Sequence, residues 1–262
     1  MFRSLYTAAS GMTAQQTNLD NVANNLANAN TAGFRKRRVQ FQDMIYQNMV
    51  TPGAAATQQT VSAGMQIGLG TRASATEILQ SQGDFQQTGN SLDLAIQGLG
   101  YFQVLMPNGQ TGYTRSGSFH LDSQGNVVTA DGNALQPSLT IPADATSITI
   151  GTDGTVTVTQ PGQTQSQQIG QIQLATFPNP GGLESMGNNL LQATLSSGDP
   201  VLGNPGGTEG LGTLQQGYLE NSNVDVVQEF VQMVLAQRAY EANSKVVKAA
   251  DDMYSQVNNM TH

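Results

Sequence analysis

The chain has 262 residues, no Cys, no Trp, only 11% charged residues and a formal net charge of −8. The lack of Cys excludes disulfides, thiolate metal sites and cysteine nucleophiles, and the acidic balance argues against nucleic acid as a partner. This length is sufficient for one or two hydrophobic cores. A polar but weakly charged surface of this kind can pack against copies of itself with little charge repulsion.

The first segment predicts a helix from about Ser4 to about Asn28, with Gly33 as the left-handed residue that closes it. It is rich in Asn, a mediocre helix former, so we expect the helix to be ordered by packing. Seven positions of this helix repeat about every 3.5 residues, which is the spacing of helices that lie side by side. The repeating positions, in steps of three and four, are Leu5, Ala8, Met12, Gln15, Leu19, Val22 and Leu26.

The segment after this helix is harder to interpret. Residues 1–38 carry five basic residues and one acidic residue, and residues 35–38 are the locally basic run, too small to indicate nucleic-acid binding. Residues 35–49 fit either a helix or an extended chain. Residues 51–70, rich in Thr, Pro, Gly, Ala and Gln, indicate an extended arm or loop. So long a structureless segment is unusual in a compact domain, so we expect it to lie on this molecule or on a neighbour.

From Ser91 onward the apolar period changes to two, which indicates β-strands. Tight-turn dipeptides recur at residues 108–109, 124–125, 131–132 and 153–154, about every ten residues or more. Short strands with such turns predict an all-β body of sandwich or barrel type. Residues 196–213, rich in Gly, Pro and Ser, are predicted to be a loop.

A second helix is predicted at the C-terminal end, opened by Ser222 three residues before Asp225 in the manner of a capping box. Its apolar residues again recur in steps of three and four, at Val224, Val227, Val231, Leu235, Ala239, Ala242, Val246, Ala249, Met253, Val257 and Met260. Helices that frame a domain in this way indicate assembly, with each other or with other copies. On this helix Arg238 and Glu241 fit a solvated ion pair or a contact with another copy equally well.

The predicted fold class is α+β, with terminal helices that pair as a coiled coil and a central all-β body of short antiparallel strands. The expected domains are residues 1–34 (N-terminal helix), 35–90 (arm, including a stretch at about 46–64), 91–195 (β domain), 196–220 (return loop) and 221–262 (C-terminal helix).

No motif of catalysis or of cofactor binding stands out, so we expect neither an enzyme nor a bound cofactor or metal. The glycines of residues 68–70 and 98–100 lack the third Gly of a dinucleotide fingerprint. Asp122, Asp131 and Asp153 precede hairpin glycines, so turn chemistry explains them more simply than calcium binding. No apolar run is long enough to span a bilayer, and we expect export without a cleaved signal peptide.

Four motifs resemble those of bacterial flagellar rod and hook proteins, in the same order along the chain. Residues 23–34 (ANNLANANTAGF) resemble the N-terminal signature of that family. Residues 90–98 (NSLDLAIQG), 100–104 (GYFQV) and 113–119 (YTRSGSF) resemble its central motifs. Residues 222–225 (SNVD) and 237–243 (QRAYEAN) resemble its C-terminal motif. Length and the stretch at about 46–64 resemble the distal-rod members more than the hook members.

The resemblance implies a structural subunit of the distal rod, exported by the flagellar type III apparatus and polymerised helically into a rigid hollow drive shaft that transmits torque from motor to hook. Implied partners are copies of itself, proximal rod and hook proteins, the peptidoglycan- and outer-membrane-level rings and the export apparatus; the implied location is the basal body, from periplasm to outer membrane. The implied subunit-interface residues on the inner helices are Leu5, Met12, Leu19, Val22, Leu26, Val231, Leu235, Arg238, Tyr240, Glu241, Val246 and Met253. The family-motif residues are Asn24, Asn25, Asn28, Gly33, Phe34, Asn90, Asp93, Gly98, Phe102, Tyr113 and Arg115.

Two alternatives remain open from the sequence. One is a sibling, a proximal rod or hook subunit, which the stiffness of the polymer would distinguish. The other is an extracellular β-protein that binds or cleaves glycans, for which Asp84 and Asp93 could serve as paired carboxylates.

Overall fold

The computed structural model describes residues 2–50, 55–56, 59–60, 64–162, 165–207 and 210–260. A helix lies at each end of the chain, and many short strands lie between them, which confirms the α+β class. The chain divides into two compact units. We call them the helical unit (Met1–Ala27, Arg37–Glu77 and Asp225–His262) and the β unit (Asn28–Lys36 and Ile78–Val224).

The helical unit contains both helices and the first six strands. Their bounds are α1 Phe2–Ala27, β1 Arg37–Asp43, β2 Tyr46–Val50, β3 Ala55–Ala56, β4 Gln59–Thr60, β5 Met65–Gly68, β6 Thr71–Ile78 and α2 Val226–Met260. β1 pairs with β6, β2 with β5 and β3 with β4. At about 1.5 Å per residue, α1 is about 39 Å long and α2 about 52 Å long. Neither described helix is long and apolar enough to cross a membrane.

The segment after α1 is built of strands. Residues 35–49, left open between helix and extended chain, contain β1 and most of β2. Residues 51–70, predicted to be an extended arm or loop, are largely extended where the structure describes them, and β2 and β5 form an antiparallel pair with Gln47 opposite Ile67. Pairing gives the backbone groups of this segment partners within the chain. Residues 51–54, 57–58 and 61–63 of the predicted arm lie outside the described residues.

The predicted end of α1 at about Asn28 agrees closely with the structure, whereas the predicted cap of α2 needs correction. Gly33 has the predicted left-handed conformation, with φ of +70°, but α1 already ends at Ala27 and a turn separates the two. At the start of α2 the cap is Asp225 instead of Ser222. Its Oδ1 accepts hydrogen bonds from the Val227 N–H at 2.9 Å and the Gln228 N–H at 3.2 Å. A carboxylate there satisfies two free N–H groups and also matches the positive end of the helix dipole.

The β unit consists of short strands and one 3₁₀ turn. Its strands are β7 Phe85–Gln87, β8 Leu94–Gln97, β9 Tyr101–Leu105, β10 Thr111–Thr114, β11 Phe119–Leu121, β12 Val127–Thr129, β13 Ala134–Gln136, β14 Ser147–Ile150, β15 Thr155–Thr159, β16 Gln167–Gln171, β17 Leu174–Thr176, β18 Glu184–Gly187, β19 Leu190–Gln192, β20 Val201–Gly203, β21 Thr213–Gln216 and β22 Tyr218–Glu220. The main sheet has the order β11-β12-β13-β9-β10-β19-β18, and β17 joins β9 to β20. β14, β15 and β16 form a second sheet, and β8 pairs with β21 and β7 with β22. β20 lies inside the segment that was predicted to be a loop.

The predicted turns are confirmed. Gly109, Gly125, Gly132 and Gly154 all have φ between +79° and +83°, a region that a residue with a Cβ rarely adopts. Each lies in a tight connection between two consecutive strands. Local chemistry alone therefore sets where these strands end.

The main core of the β unit lies between its sheets and is made by the period-two residues. Phe102 and Phe119 are completely buried and meet edge to face, with ring centroids 5.1 Å apart at 89°. A smaller aromatic cluster has Phe177 edge-on to Tyr113, with centroids 4.8 Å apart. These ring geometries are the favoured ones for aromatic pairs.

Candidate assembly surface and buried ion cluster

The two helices contact each other in the helical unit, and the fully buried residues of α2 are Glu229, Ala236 and Ala250. The Asn25 amide on α1 donates to Glu229 Oε2 at 3.2 Å. A Cβ added to Gly11 would lie 2.9 Å from Asn243 Nδ2, so the two helices approach closely there. The buried and half-buried positions of α2 are Glu229, Met233, Ala236, Ala239, Asn243, Ser244, Val247, Ala250 and Tyr254, and apart from Ser244 they recur in steps of three or four residues.

Apart from the half-buried Ala239, the residues of the predicted apolar repeat within α2 lie outside these inward positions. Val231 and Leu235 are 54% and 61% exposed, and Arg238, Tyr240 and Glu241 are exposed as well. The apolar repeat therefore does not identify the residues that face α1. We call the exposed apolar residues of α2 the α2 stripe: Val227, Phe230, Val231, Val234, Leu235, Val246, Met253, Val257 and Met260.

The predicted interface residues of α1 are less exposed than those of α2. Val22 is 1% exposed, so its side chain is covered within this chain. Leu5, Met12, Leu19 and Leu26 are half-buried. The face that a single chain leaves free for a partner is thus mainly that of α2. Apolar patches of this extent on a protein surface mark interaction sites.

Asn25 explains part of the amide-rich pattern of α1. Its Oδ1 accepts from the Arg37 N–H at 3.0 Å, and its Nδ2 donates to the Arg37 carbonyl at 2.9 Å. The Asn21 amide donates to the same carbonyl at 2.8 Å. An amide side chain offers both a donor and an acceptor, so Asn25 pairs with the start of β1 as a neighbouring strand would. Asn24 lies on the exposed face of α1.

The β unit holds a buried ion cluster centred on Glu220. Its Oε1 lies 2.7 Å from the Arg35 guanidinium and accepts from the Gly83 N–H at 3.1 Å. Its Oε2 lies 2.6 Å from Arg115 Nε. Burial lowers the pKa of Arg35, and the charge of Glu220 opposes that shift. Buried charges are tolerated when they are paired and hydrogen-bonded in this way.

Arg115 also fixes the loop between β8 and β9. Its guanidinium donates to the carbonyls of Ile96 at 2.8 Å and of Gly98 at 2.6 Å, and also to that of Gly100. Gly98 and Gly100 have positive φ and lie between β8 and β9, so they are turn glycines as predicted. The motif residue Arg115 thus joins one carboxylate to three backbone carbonyls.

Gly33 brings the N-terminal motif onto the β unit. Its N–H donates to the Glu220 carbonyl at 2.7 Å. A Cβ at this position would lie 2.5 Å from the Ser116 nitrogen. Beyond it, Asn223 Oδ1 accepts from the Lys36 N–H at 2.7 Å. The segment 28–36 is therefore held by side chains from the end of the β unit.

The remaining motif residues shape turns and the core. Asn90 Nδ2 donates to Asp93 Oδ1 at 3.1 Å, and the Asp93 carbonyl accepts from the Gly217 N–H at 2.8 Å. Asn28 Oδ1 accepts from the Thr31 hydroxyl at 3.2 Å. Phe34 is half-buried, and Phe102 and Tyr113 are core residues.

Sequence reasoning missed Arg35, Glu220 and Asn223 as site residues. Arg35 belongs to the run 35–38 that was interpreted as a basic patch, yet it is buried, while Arg38 is exposed and lies 3.0 Å from Glu77. The buried carboxylate of Glu220 comes two residues before the motif at residues 222–225. That position was the one available signal for it.

The aspartates considered as ligands serve turns. Asp122 Oδ1 accepts from the Gln124 and Asn126 N–H groups, both at 2.8 Å. Asp153 Oδ1 accepts from the Thr155 hydroxyl at 2.7 Å. Within the described ranges, no three His, Asp or Glu side chains are grouped as metal ligands would be.

Comparison with known proteins identifies the class of this fold. Residues 5–35 match the flagella basal body rod protein family, residues 95–158 match the flagellar hook protein FlgE/F/G D1 domain, and residues 215–260 match the flagellar basal body rod FlgEFG protein C-terminal family. These are the segments that contain α1, the centre of the β unit and α2. The class is therefore that of the flagellar rod and hook proteins.

Full-length relatives narrow this assignment. The flagellar basal-body rod protein FlgG of Caulobacter vibrioides is 48% identical over 96% of both chains. The FlgG proteins of Borreliella burgdorferi and of Buchnera aphidicola (subspecies Baizongia pistaciae) are 45% and 44% identical, over 99% and 97% of both chains. The chain belongs to the FlgG family of flagellar basal-body rod proteins.

Proposed function

We propose that this chain is a structural subunit of the flagellar distal rod and that it polymerises helically into a rigid hollow shaft that transmits torque from motor to hook. Its membership of the FlgG family supports this function over a hook or glycan-binding role. The observation that carries the mechanism is the α2 stripe, an apolar face that the chain's own α1 leaves uncovered. The role is structural and needs no catalytic residue.

The energy for assembly comes from covering that face. Full burial of a Val, Leu, Phe or Met side chain is worth roughly 1.5–3 kcal/mol, and the stripe residues are already partly covered. Polymer contacts must also offset the loss of translational and rotational freedom of each subunit. A stripe that extends over most of α2 supplies many modest contributions to the free energy of assembly. Many distributed contacts suit a shaft that has to resist torque.

The hairpin formed by β2 and β5 is a second surface for neighbours. Ile45, Tyr46, Met49 and Met65 are all exposed there, and the hairpin belongs to the stretch that resembles the distal-rod type. We expect it to bridge adjacent subunits. The shaft contacts other axial proteins at its ends and the ring proteins around it. The subunits are exported by the flagellar export apparatus without a cleaved signal. The assembled shaft extends across the periplasm to the outer membrane.

Polymerisation of a stripe variant tests this function. Val231→Gln with Leu235→Gln replaces two exposed apolar side chains by a good helix former, so the monomer keeps its stability while polymer contacts are lost. The matched control is Lys248→Gln, an exposed position of α2 outside the stripe. Sedimentation of polymer and electron microscopy give the result. Normal straight polymer from the double variant would contradict the mechanism, and a readily bent polymer from the unchanged chain would favour the hook alternative.

A further inference from the structure

The two helices of the helical unit run in opposite directions, and two contacts fix their register. The Asn25 amide of α1 meets the Glu229 carboxylate of α2, and Gly11 of α1 lies beside the Asn243 side chain. From 11 to 25 along α1, and from 243 back to 229 along α2, the distance is the same fourteen residues. Because α1 begins nine residues before Gly11, its first residue lies at about the level of residue 252 of α2.

The end of α2 therefore extends past the beginning of α1. We call residues 251–260 the α2 tail; the last eight of them reach roughly 12 Å beyond α1, at about 1.5 Å per residue. Met253 and Met260 of the tail are 46% and 86% exposed. Asp251 and Asp252 are exposed as well, and the tail contains no basic residue. The tail thus combines exposed apolar side chains with a negative charge.

An open groove lies between the two helices and β5 at the same end of the helical unit; we call it the Arg3 groove. Its volume is about 930 Å³, the space of roughly thirty water molecules at about 30 Å³ each, so it has room for several side chains. The lining is mainly apolar and includes Ala8, Ile67 and Val246, the last of which belongs to the α2 stripe. Arg3 is the one charged residue among the lining residues, and no carboxylate of the described residues pairs with it.

The α2 tail matches this groove better than the other exposed apolar surfaces of the helical unit do. Neither β2 nor β5 contains a charged residue, so the hairpin would leave Arg3 without a counter-charge. At the start of α2, the Asp225 carboxylate caps the helix and Glu229 is buried. Farther along, Glu241 lies three residues from Arg238, and a charge at that spacing offsets its own.

Within the tail, one of the two aspartates is better placed to face Arg3. Successive residues of a helix are turned by about 100°, which puts Asp252 closer than Asp251 to the side that carries Met253 and Met260. By the register of the two helices, Arg3 lies at about the level of residue 251. Asp252 and Arg3 are therefore at nearly the same level of the helix pair.

We propose that the α2 tail of one copy packs into the Arg3 groove of the next copy, with the Met253 side chain in the groove and the Asp252 carboxylate facing Arg3. Copies that stand side by side with the same polarity bring these groups to one level. The tail does not enter the groove of its own chain, because α2 is one continuous helix that lines the groove and runs on past it.

This contact joins two different surfaces of identical copies. Such a heterologous contact generates a ring or a helical filament, which agrees with a polymerising subunit. The inference rests on the proposed polymerisation and names one contact within it.

Exchange of the two charges tests the ion pair. Arg3→Glu and Asp252→Arg should each raise the concentration needed for polymerisation about fivefold, the size expected for an exposed pair of about 1 kcal/mol. The two changes together should restore most of that loss. The matched control is Asp20→Arg, the same charge change at an exposed position of α1, which should not rescue Arg3→Glu. Circular dichroism of each monomer checks that the helices are kept.

The absence of native Cys allows a crosslink that only neighbouring copies can form. Thr7 lines the groove at about the level of residue 247, which is about 9 Å along the axis from Met253 of the same chain. Packed helix axes are also about 8–10 Å apart, whereas a disulfide needs Cα atoms within about 7 Å. Oxidised polymer of Thr7→Cys with Met253→Cys should therefore give covalent multimers. Neither single variant should do so, nor the control pair of Thr7→Cys with the exposed stripe variant Leu235→Cys.

Each outcome decides the contact. Multimers from the Thr7 and Met253 pair, together with rescue by charge exchange, support it. Uncrosslinked polymer from that pair, multimers from the Leu235 control pair, or a charge-exchanged chain that polymerises no better than the single variants overturns it. The proposed function stands in those cases, because polymer still forms. A native chain that never polymerises contradicts the proposed function itself, and the contact with it.

Discussion

Replacement of Glu220 by Gln should strongly destabilise the β unit. Glu220 is 2% exposed and lies 2.7 Å from Arg35 and 2.6 Å from Arg115. Glutamine has almost the same shape but no charge, so two buried guanidinium groups lose the carboxylate that pairs with both of them. Removal of one partner from a buried pair costs about 3–5 kcal/mol, because the remaining charge is left uncompensated.

That loss in the free energy of unfolding is large enough to be detected by an ordinary thermal melt. In a domain of about 150–250 residues, 1 kcal/mol shifts Tm by roughly 2–4 °C, so a loss of about 4 kcal/mol lowers Tm by roughly 8–16 °C. Circular dichroism in the β-sheet region follows the transition. The matched control is Glu184→Gln, an exposed glutamate on β18 of the same unit; surface changes of this kind stay within about 0.5 kcal/mol.

A double variant separates the charge effect from a loss of packing. Arg35→Met in the Glu220→Gln background removes one of the two unpaired cations, so part of the stability should return. The coupling energy of the two changes measures their interaction. The reasoning is refuted if Glu220→Gln unfolds within about 1 kcal/mol of the native chain, or if Arg35→Met adds its full cost on top.

Three further predictions concern other parts of the chain. Gly33→Ala should destabilise the β unit by more than the roughly 1–2 kcal/mol of a left-handed non-glycine residue, because the added Cβ would clash with the Ser116 backbone. The control Gly132→Ala has φ of +82° and open space around the Cβ, so denaturant unfolding should show a smaller loss of stability. Asn25→Ala removes the acceptor of the Arg37 N–H and one of the two amide donors to the Arg37 carbonyl, and it should cost about 1–3 kcal/mol. The loss should appear as faster amide exchange at the start of β1, whereas the exposed Gln16→Ala should not change that exchange. Burial raises the pKa of Tyr101, so the folded state keeps a proton that the unfolded state loses above about pH 10. The free energy of unfolding measured in urea should therefore fall as the pH rises from about 10 through the folded-state pKa. Tyr101→Phe should flatten that fall.

The sequence predicts features set by neighbouring residues better than it predicts contacts between residues far apart in the chain. The turns at Gly109 and Gly154 follow from local backbone chemistry and are found where predicted. The arm was missed as a hairpin because β2 and β5 show no clear alternation of apolar residues. The start of α2 differs from the prediction because Asp225, and not Ser222, supplies the capping oxygen.

The helix contact shows a different limit. Apolar periodicity marks a face but does not say which partner covers it, and on α2 the fully buried residues are Glu229, Ala236 and Ala250. The apolar repeat therefore described the outward face. The ion cluster was missed for a related reason: Arg35 and Glu220 are far apart in sequence, and no spacing rule connects them.

The central claim is that polymer contacts cover the α2 stripe. The most direct measurement is the maleimide reactivity of Leu235→Cys, the one thiol in an otherwise Cys-free chain, in monomer, in polymer and in polymer dissolved by denaturant. The account predicts rapid labelling of the monomer, strong protection in the polymer and full recovery after dissolution. Equal labelling of monomer and polymer would contradict it, because the stripe would then remain open to solvent in the assembled shaft.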